Sequence, residues 1–152
     1  MTARYNNLII NSAKYSYITN LLRNFFNSKG MVEVHAQNRL SIMAAWENSE
    51  SIVKLEYAGY TAAFAQTNQQ WLEWEILRNP KPYGYYTFTT SYRAEKNIIP
   101  GRHHLIFPMT EVEIKADTNE LQKFQMDMIR AIGYKGKFAE GNFMDVAKKF
   151  KT

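Results

Sequence analysis

The chain has 152 residues, a formal charge of +5, a hydrophobic share of 45%, an aromatic share of 14% and no cysteine. That length supports one sizeable core, so a single domain over residues 1–152 is expected, and the missing thiols exclude disulfides, cysteine nucleophiles and cysteine-ligated zinc. No apolar run approaches bilayer length and the first twenty residues are too polar for a signal peptide, so a cytoplasmic protein without a membrane partner is expected, its positive charge favouring an anionic partner or merely serving solubility.

Residues 11–29 place Tyr15, Ile18, Leu21, Leu22, Phe25 and Phe26 on one helical face, with Gly30 as a stop. A short strand is expected over "MVEV" at 31–34, and a brief helix or irregular turn over "RLSIMAAWE" at 39–47. "SIVKLEYAGYTAAFAQ" alternates as a hairpin turning near Gly59. A second helix starts at Asn68, whose side chain can cap it, and ends at Asn79 and Pro80; Trp71 and Trp74 lie on it, and at least one of them should join the core. A long strand, "YGYYTFTTSYRAE", then leads through a loop at 96–104 to a returning strand over 106–116. A helix from Thr118 to Ile132 should bury Leu121, Phe124, Met128, Ile129 and Ile132 before Gly133 closes it. The tail carries a short amphipathic piece, "FMDVAKKF", with Lys148 and Lys149 suited to its C-terminal end.

Strand periodicity sorts the most charged stretch, "SYRAEKNIIPGRHHLIFPMTEVEIKA". Arg93 and Glu95 share one face of their strand, and Phe107, Met109, Glu111, Glu113 and Lys115 share one face of the returning strand. Pro108, Thr110, Val112, Ile114 and Ala116 take the other face and can pack under helices. The charged face combines two glutamates that repel each other with an aromatic ring that water would otherwise cover. One reading is a surface hairpin with Arg–Glu ion pairs. The other is a site for a flat ligand with anionic and cationic groups, such as ATP beside an amino acid. In that reading Arg93 grips a phosphate or carboxylate with its fork, Arg102 and His103 reach outer phosphates, and Phe107 stacks.

The run "RAEKNIIPGRHHLIFPMTEVE" resembles motif 2 of the class II aminoacyl-tRNA synthetases, in their asparaginyl and aspartyl branch. "LLRNFFNSKGMVEV" is similar to motif 1, and "QTNQQWLEWEIL" to the segment between motifs that supplies substrate-binding glutamines. The resemblance spans about Lys14 to Phe150 and is narrower still to the asparaginyl-tRNA-synthetase-related asparagine synthetases, which lack an anticodon-binding domain. The sequence departs from the pattern at "VHAQNRL", where motif 1 carries a proline, and at Ile106, where most members place Glu.

The resemblance implies an α+β fold, an antiparallel sheet flanked by helices, and ATP-dependent activation of a carboxylate. Arg93 would contact the α-phosphate and the substrate carboxylate as the catalytic group, Glu95 the adenine, Arg102 and His103 the outer phosphates, and Phe107 would stack on the base. Gln66 and Gln69 would orient the amino acid, and Glu111 or Glu113 would read its ammonium or side-chain end. His104 and His35 receive no role beyond a structural one. The family's magnesium-binding carboxylates and its motif 3 belong to a C-terminal half that this sequence does not contain. Magnesium is thus expected with ATP although no metal ligand is assigned here, and self-association or a complementary chain is expected as partner, with tRNA as a further candidate. Three functions follow: an adenylate-forming ligase, making asparagine or asparaginyl-tRNA; a non-catalytic nucleotide- or RNA-binding module; and an interaction subunit.

Overall fold

A computed structural model of the chain describes residues 10–36, 48–99 and 103–150. Its first helix, α1 (Ser12–Ser28), begins where the Asn11 side chain accepts the Lys14 N–H at 2.9 Å, a standard N-cap, and ends before Gly30 at φ 74. Strand β1 (Val32–Glu33) follows directly. The segment at 39–47, for which a helix or turn is expected, lies outside the described residues, as does most of "VHAQNRL".

The chain resumes in a 3-10 turn over Ser49–Ser51 and forms a hairpin, β2 (Lys54–Tyr57) and β3 (Tyr60–Ala63). Its two-residue turn puts both Ala58 (φ 50) and Gly59 (φ 81) in the left-handed region, as a type I′ turn demands. Helix α2 (Gln69–Arg78) then leads to β4 (Gly84–Tyr92), which pairs antiparallel with β5 (Ile106–Ile114) over nine residues, from Gly84 opposite Ile114 to Tyr92 opposite Ile106. Glycine is required at 84: a Cβ there would sit 2.5 Å from the Glu113 carbonyl oxygen and 2.5 Å from Ile114 Cγ2. Helices α3 (Thr118–Ala131) and α4 (Phe143–Phe150) complete the order. A capping box formed by Asp117 and Glu120 starts α3, and Gly133 at φ 105 follows it.

The larger sheet has the order β1-β4-β5, and β1 runs parallel to β4, so the expected antiparallel sheet is mixed at this edge. The α+β architecture with flanking helices is as anticipated. One sheet face packs on α1 and α3 through Leu22, Phe26, Met31, Tyr86 and Phe124, joined by Phe25, Phe88, Val112, Ile114, Met128 and Ile132. Phe26 lies 4.5 Å from the Tyr86 ring and 6.3 Å from that of Phe124, centroid to centroid. Arg23 forks onto Glu33 at 2.9 and 3.1 Å and holds that carboxyl below its ordinary range. The opposite face packs on α2 through Leu72, Ile76, Tyr85 and Val34.

Several expected core positions differ. Leu121 of α3 and Tyr15 and Ile18 of α1 are exposed; all three lie in the N-terminal turns of their helices. The strand predicted over 83–95 ends at Tyr92, although Arg93 N–H still donates to Leu105 O at 2.7 Å and Ala94 N–H to Ser51 O at 2.7 Å. Of the two tryptophans, Trp71 is half-buried and Trp74 exposed beneath Arg78, whose guanidinium carbon lies 4.4 Å from the ring. Leu72 and Ile76 are the core residues of α2.

Candidate functional site

Alternation delivers what the sequence pattern implies on the α2 side of the sheet. Tyr85, Thr87, Thr89 and Ser91 of β4 stand opposite Glu113, Glu111, Met109 and Phe107 of β5 and share one face with them. Arg93, one pair further along, places its guanidinium carbon 5.9 Å from the centroid of the Phe107 ring. The two groups chosen from sequence for phosphate binding and for base stacking are therefore neighbours at one end of the hairpin. Glu95 is half-buried two residues beyond.

The loop between the strands is tied at its far side. The His103 backbone N–H donates to Ile99 O at 3.0 Å, and the Ile99 N–H donates to His103 Nδ1 at 3.3 Å. Because Nδ1 accepts, the neutral ring carries its proton on Nε2. Arg102 lies outside the described residues. His104 has a buried Nδ1 with no hydrogen-bond partner among the described residues.

Gln66 and Glu111 are the deepest of the amino-acid-binding candidates. The Gln66 side chain is 0% exposed; its Oε1 accepts the Asn48 N–H at 2.8 Å, and its Nε2 donates to Asn48 O and to Ser51 Oγ, both at 3.0 Å. Its amide clamps the 48–51 turn to the chain entering α2. Glu111, 6% exposed, takes the Thr67 hydroxyl on Oε1 and the Asn68 N–H at 2.9 Å on both carboxylate oxygens. The expected Asn68 side-chain cap is thus replaced. That amide donates instead to Thr89 Oγ1 at 2.7 Å, and a carboxylate from a strand neutralises the positive end of α2.

Gln69 is exposed on the first turn of α2, its N–H donating to Thr67 Oγ1 at 3.2 Å. Glu113 stands apart from these groups. At about 3.4 Å per strand residue it is roughly 20 Å from Phe107, against roughly 14 Å for Glu111. Burial pushes its carboxyl up, and the nearby Glu73 of α2 pushes it further.

Two residues absent from the sequence-derived set join these groups. Thr67 holds Glu111. Ser91, 0% exposed, donates its hydroxyl to Gln66 O at 2.8 Å and accepts Arg93 Nε–H at 3.1 Å. Its place two residues before Arg93, on the same strand face, is the signal that could have found it. A cavity of about 550 Å³ opens on the β1 side of β4, between Glu33–Ala36 and Thr87–Thr90 with Tyr92. His35 lines it, but Arg93 and Phe107 do not, and we place the candidate chemistry where the fork and the ring meet. Among the described residues no group of three His, Asp or Glu could hold a metal ion, and no helix is long and apolar enough to cross a membrane.

No protein-family model and no curated protein matches the chain. Solved structures do. The asparaginyl-tRNA synthetase from Pyrococcus horikoshii, complexed with asparaginyl-adenylate, superposes with a TM-score of 0.67 at 22% identity, over 77% of this chain and 26% of that one. The asparaginyl-tRNA synthetase of Entamoeba histolytica gives 0.65 at 20% identity over 77% and 25%, and PylSc, a pyrrolysyl tRNA synthetase of Desulfitobacterium hafniense, gives 0.57 at 17% over 78% and 43%. The chain therefore has the fold of a class II synthetase catalytic core, and it spans between about a quarter and a half of the length of these neighbours.

Proposed function

We propose that this chain binds ATP and the carboxylate of aspartate or asparagine at the Arg93–Phe107 end of the β4–β5 hairpin, as part of an adenylate-forming ligase of the asparagine-synthetase or asparaginyl-tRNA-synthetase type. The observation that carries the reading is the 5.9 Å approach of the Arg93 guanidinium to the Phe107 ring on one strand face. A nucleotide offers a base for such a ring and phosphate oxygens for such a fork, and both contacts can form together. Likeness to a structure complexed with asparaginyl-adenylate supports the choice of ligand.

The chemistry asked of the protein is positional. When a carboxylate oxygen attacks the α-phosphorus and the α–β phosphoanhydride bond breaks to release pyrophosphate, negative charge builds on the phosphoryl oxygens, and a fixed guanidinium stabilises it without a side-chain nucleophile. His103, with Nε2–H as donor, and Arg102 are the candidates for the outer phosphates, and Glu95 for the adenine. Gln69 is the exposed polar group of the amino-acid segment. The described residues do not assemble a magnesium site, so no step is assigned to that ion. We assign the remainder of the catalytic site to a second copy or a complementary chain, and the site of action to the cytoplasm.

Calorimetric titration of ATP into the purified chain tests this. Arg93→Ala and Phe107→Ala should each weaken binding by about tenfold or more, the size of one charged hydrogen bond or one stacked base. ATP affinity unchanged in both variants would remove the site. A second reading is favoured by the internal commitments of Gln66 and Glu111: a module that binds nucleotide without catalysis. Exchange of pyrophosphate into ATP that depends on aspartate or asparagine separates the two, since only a ligase supports it.

A further inference from the structure

We infer that Ser91 is a positioning residue that fixes the Arg93 guanidinium for its oxyanion, an inference that rests on the reading of Arg93 given above. A serine hydroxyl has one proton. Here it goes to the Gln66 carbonyl at 2.8 Å, so toward Arg93 the oxygen can only accept, and it takes the Nε–H at 3.1 Å. A hydroxyl free to rotate would offer no such constraint. Ser91 is wholly buried, so water does not replace either contact.

The Gln66 carbonyl is itself held in place. The side chain of the same residue pins the backbone of Asn48 on both its N–H and its C=O, and the next two residues are fixed by Glu111. The guanidinium is thus oriented against a frame made of three chain segments rather than by its own flexible stem. Arginine loses less entropy per hydrogen bond when its planar fork is already oriented, so the benefit appears as affinity for the oxyanion.

The test uses the full chain with ¹⁵N-arginine labelling, the Arg93 signal being assigned by its loss in Arg93→Lys. In the wild type the Arg93 Nε–H should exchange with water far more slowly than that of free arginine. Ser91→Ala should abolish this protection and weaken ATP binding by about tenfold, the size of one hydrogen bond to a charged group, while Ser91→Thr restores both. A residue that merely fills the strand would lower the melting temperature and leave the Nε–H protected. The inference is overturned by a wild-type Nε–H that exchanges as fast as free arginine, a measurement that stands even where Ser91→Ala does not fold. It is equally overturned by protection that survives in Ser91→Ala, or by ATP affinity that does not change in that variant. A wild type that binds no ATP, yet loses its protected Nε–H in Ser91→Ala, would sink the nucleotide reading and uphold the hold of Ser91 on the guanidinium.

Discussion

Replacing Glu111 by Gln separates a supporting role from a ligand-binding one. The carboxylate is almost fully buried, takes the Thr67 hydroxyl and the Asn68 N–H, and sits at the positive end of α2. Glutamine keeps the shape and one oxygen, but turns an NH₂ toward the Asn68 N–H that both carboxylate oxygens now share and removes the charge. A hydrogen bond to a charged group contributes about 1.5–3 kcal/mol, and the helix-end interaction adds about 0.3–1 kcal/mol. Allowing for the contact that the amide oxygen retains, Glu111→Gln should cost about 2–3 kcal/mol. For a chain of this size that is a fall in Tm of roughly 5–10 °C. Thermal and urea unfolding measure the total. Amide exchange at Gln69, Gln70 and Trp71 should rise ahead of the rest of the chain, since those N–H groups begin the helix that Glu111 terminates. A variant that melted within about 1 °C of the wild type, with unchanged exchange in α2 and a large loss of aspartate affinity, would refute the argument and make Glu111 a substrate ligand.

Glu113 should behave with the opposite sign. Its carboxyl is pushed above the ordinary 4.5 by burial and then by Glu73, so ionising it costs stability as pH rises from the unfolded value through the folded one, and the cost is complete above both. Glu113→Gln should therefore melt higher than the wild type at pH 7, the gap closing as melts are repeated down to about pH 4. Gly84→Ala forces a Cβ to 2.5 Å from the Glu113 carbonyl and should lower stability by about 2 kcal/mol or more in urea unfolding, because a backbone atom cannot step aside. Ala58→Asn should raise stability by up to about 1 kcal/mol, since Ala58 holds φ 50 in a turn that favours Asn before Gly; no gain in urea midpoint would mean that the turn is not of this type.

The sequence made some of this legible and hid the rest for physical reasons. Alternation along 106–114 placed Phe107, Glu111 and Glu113 on one face and Val112 and Ile114 on the core face, because side-chain direction in a strand follows from local backbone geometry alone. The direction of β1 was not local: parallel pairing with β4 depends on where α1 returns the chain. The partners of Gln66 and Glu111 lie 18 and 44 residues away, beyond any pattern a strand or helix period can carry. Glu111 stood out as a charge that needed a partner, whereas Gln66 was named only through the family resemblance; within the fold both are held by these contacts.

The same limit decides where the site opens. Helix α2 has ten residues and is about 15 Å long, whereas the nine residues of β5 extend about 30 Å, so the helix can cover only part of the polar strand face. Its start is set by the Asn68 N–H on Glu111, and its apolar residues Leu72 and Ile76 then run toward Tyr85, at the Gly84 end of the hairpin. Coverage falls over Glu111 and Glu113, and the Arg93–Phe107 end is left to the loops. Moving that anchor two residues along β5 would shift the covered region by about 7 Å, to Met109 and halfway to Phe107. The position of the candidate site therefore depends on one carboxylate that meets α2 from 43 residues away, and alternation, which chose the face, carries no information about that distance.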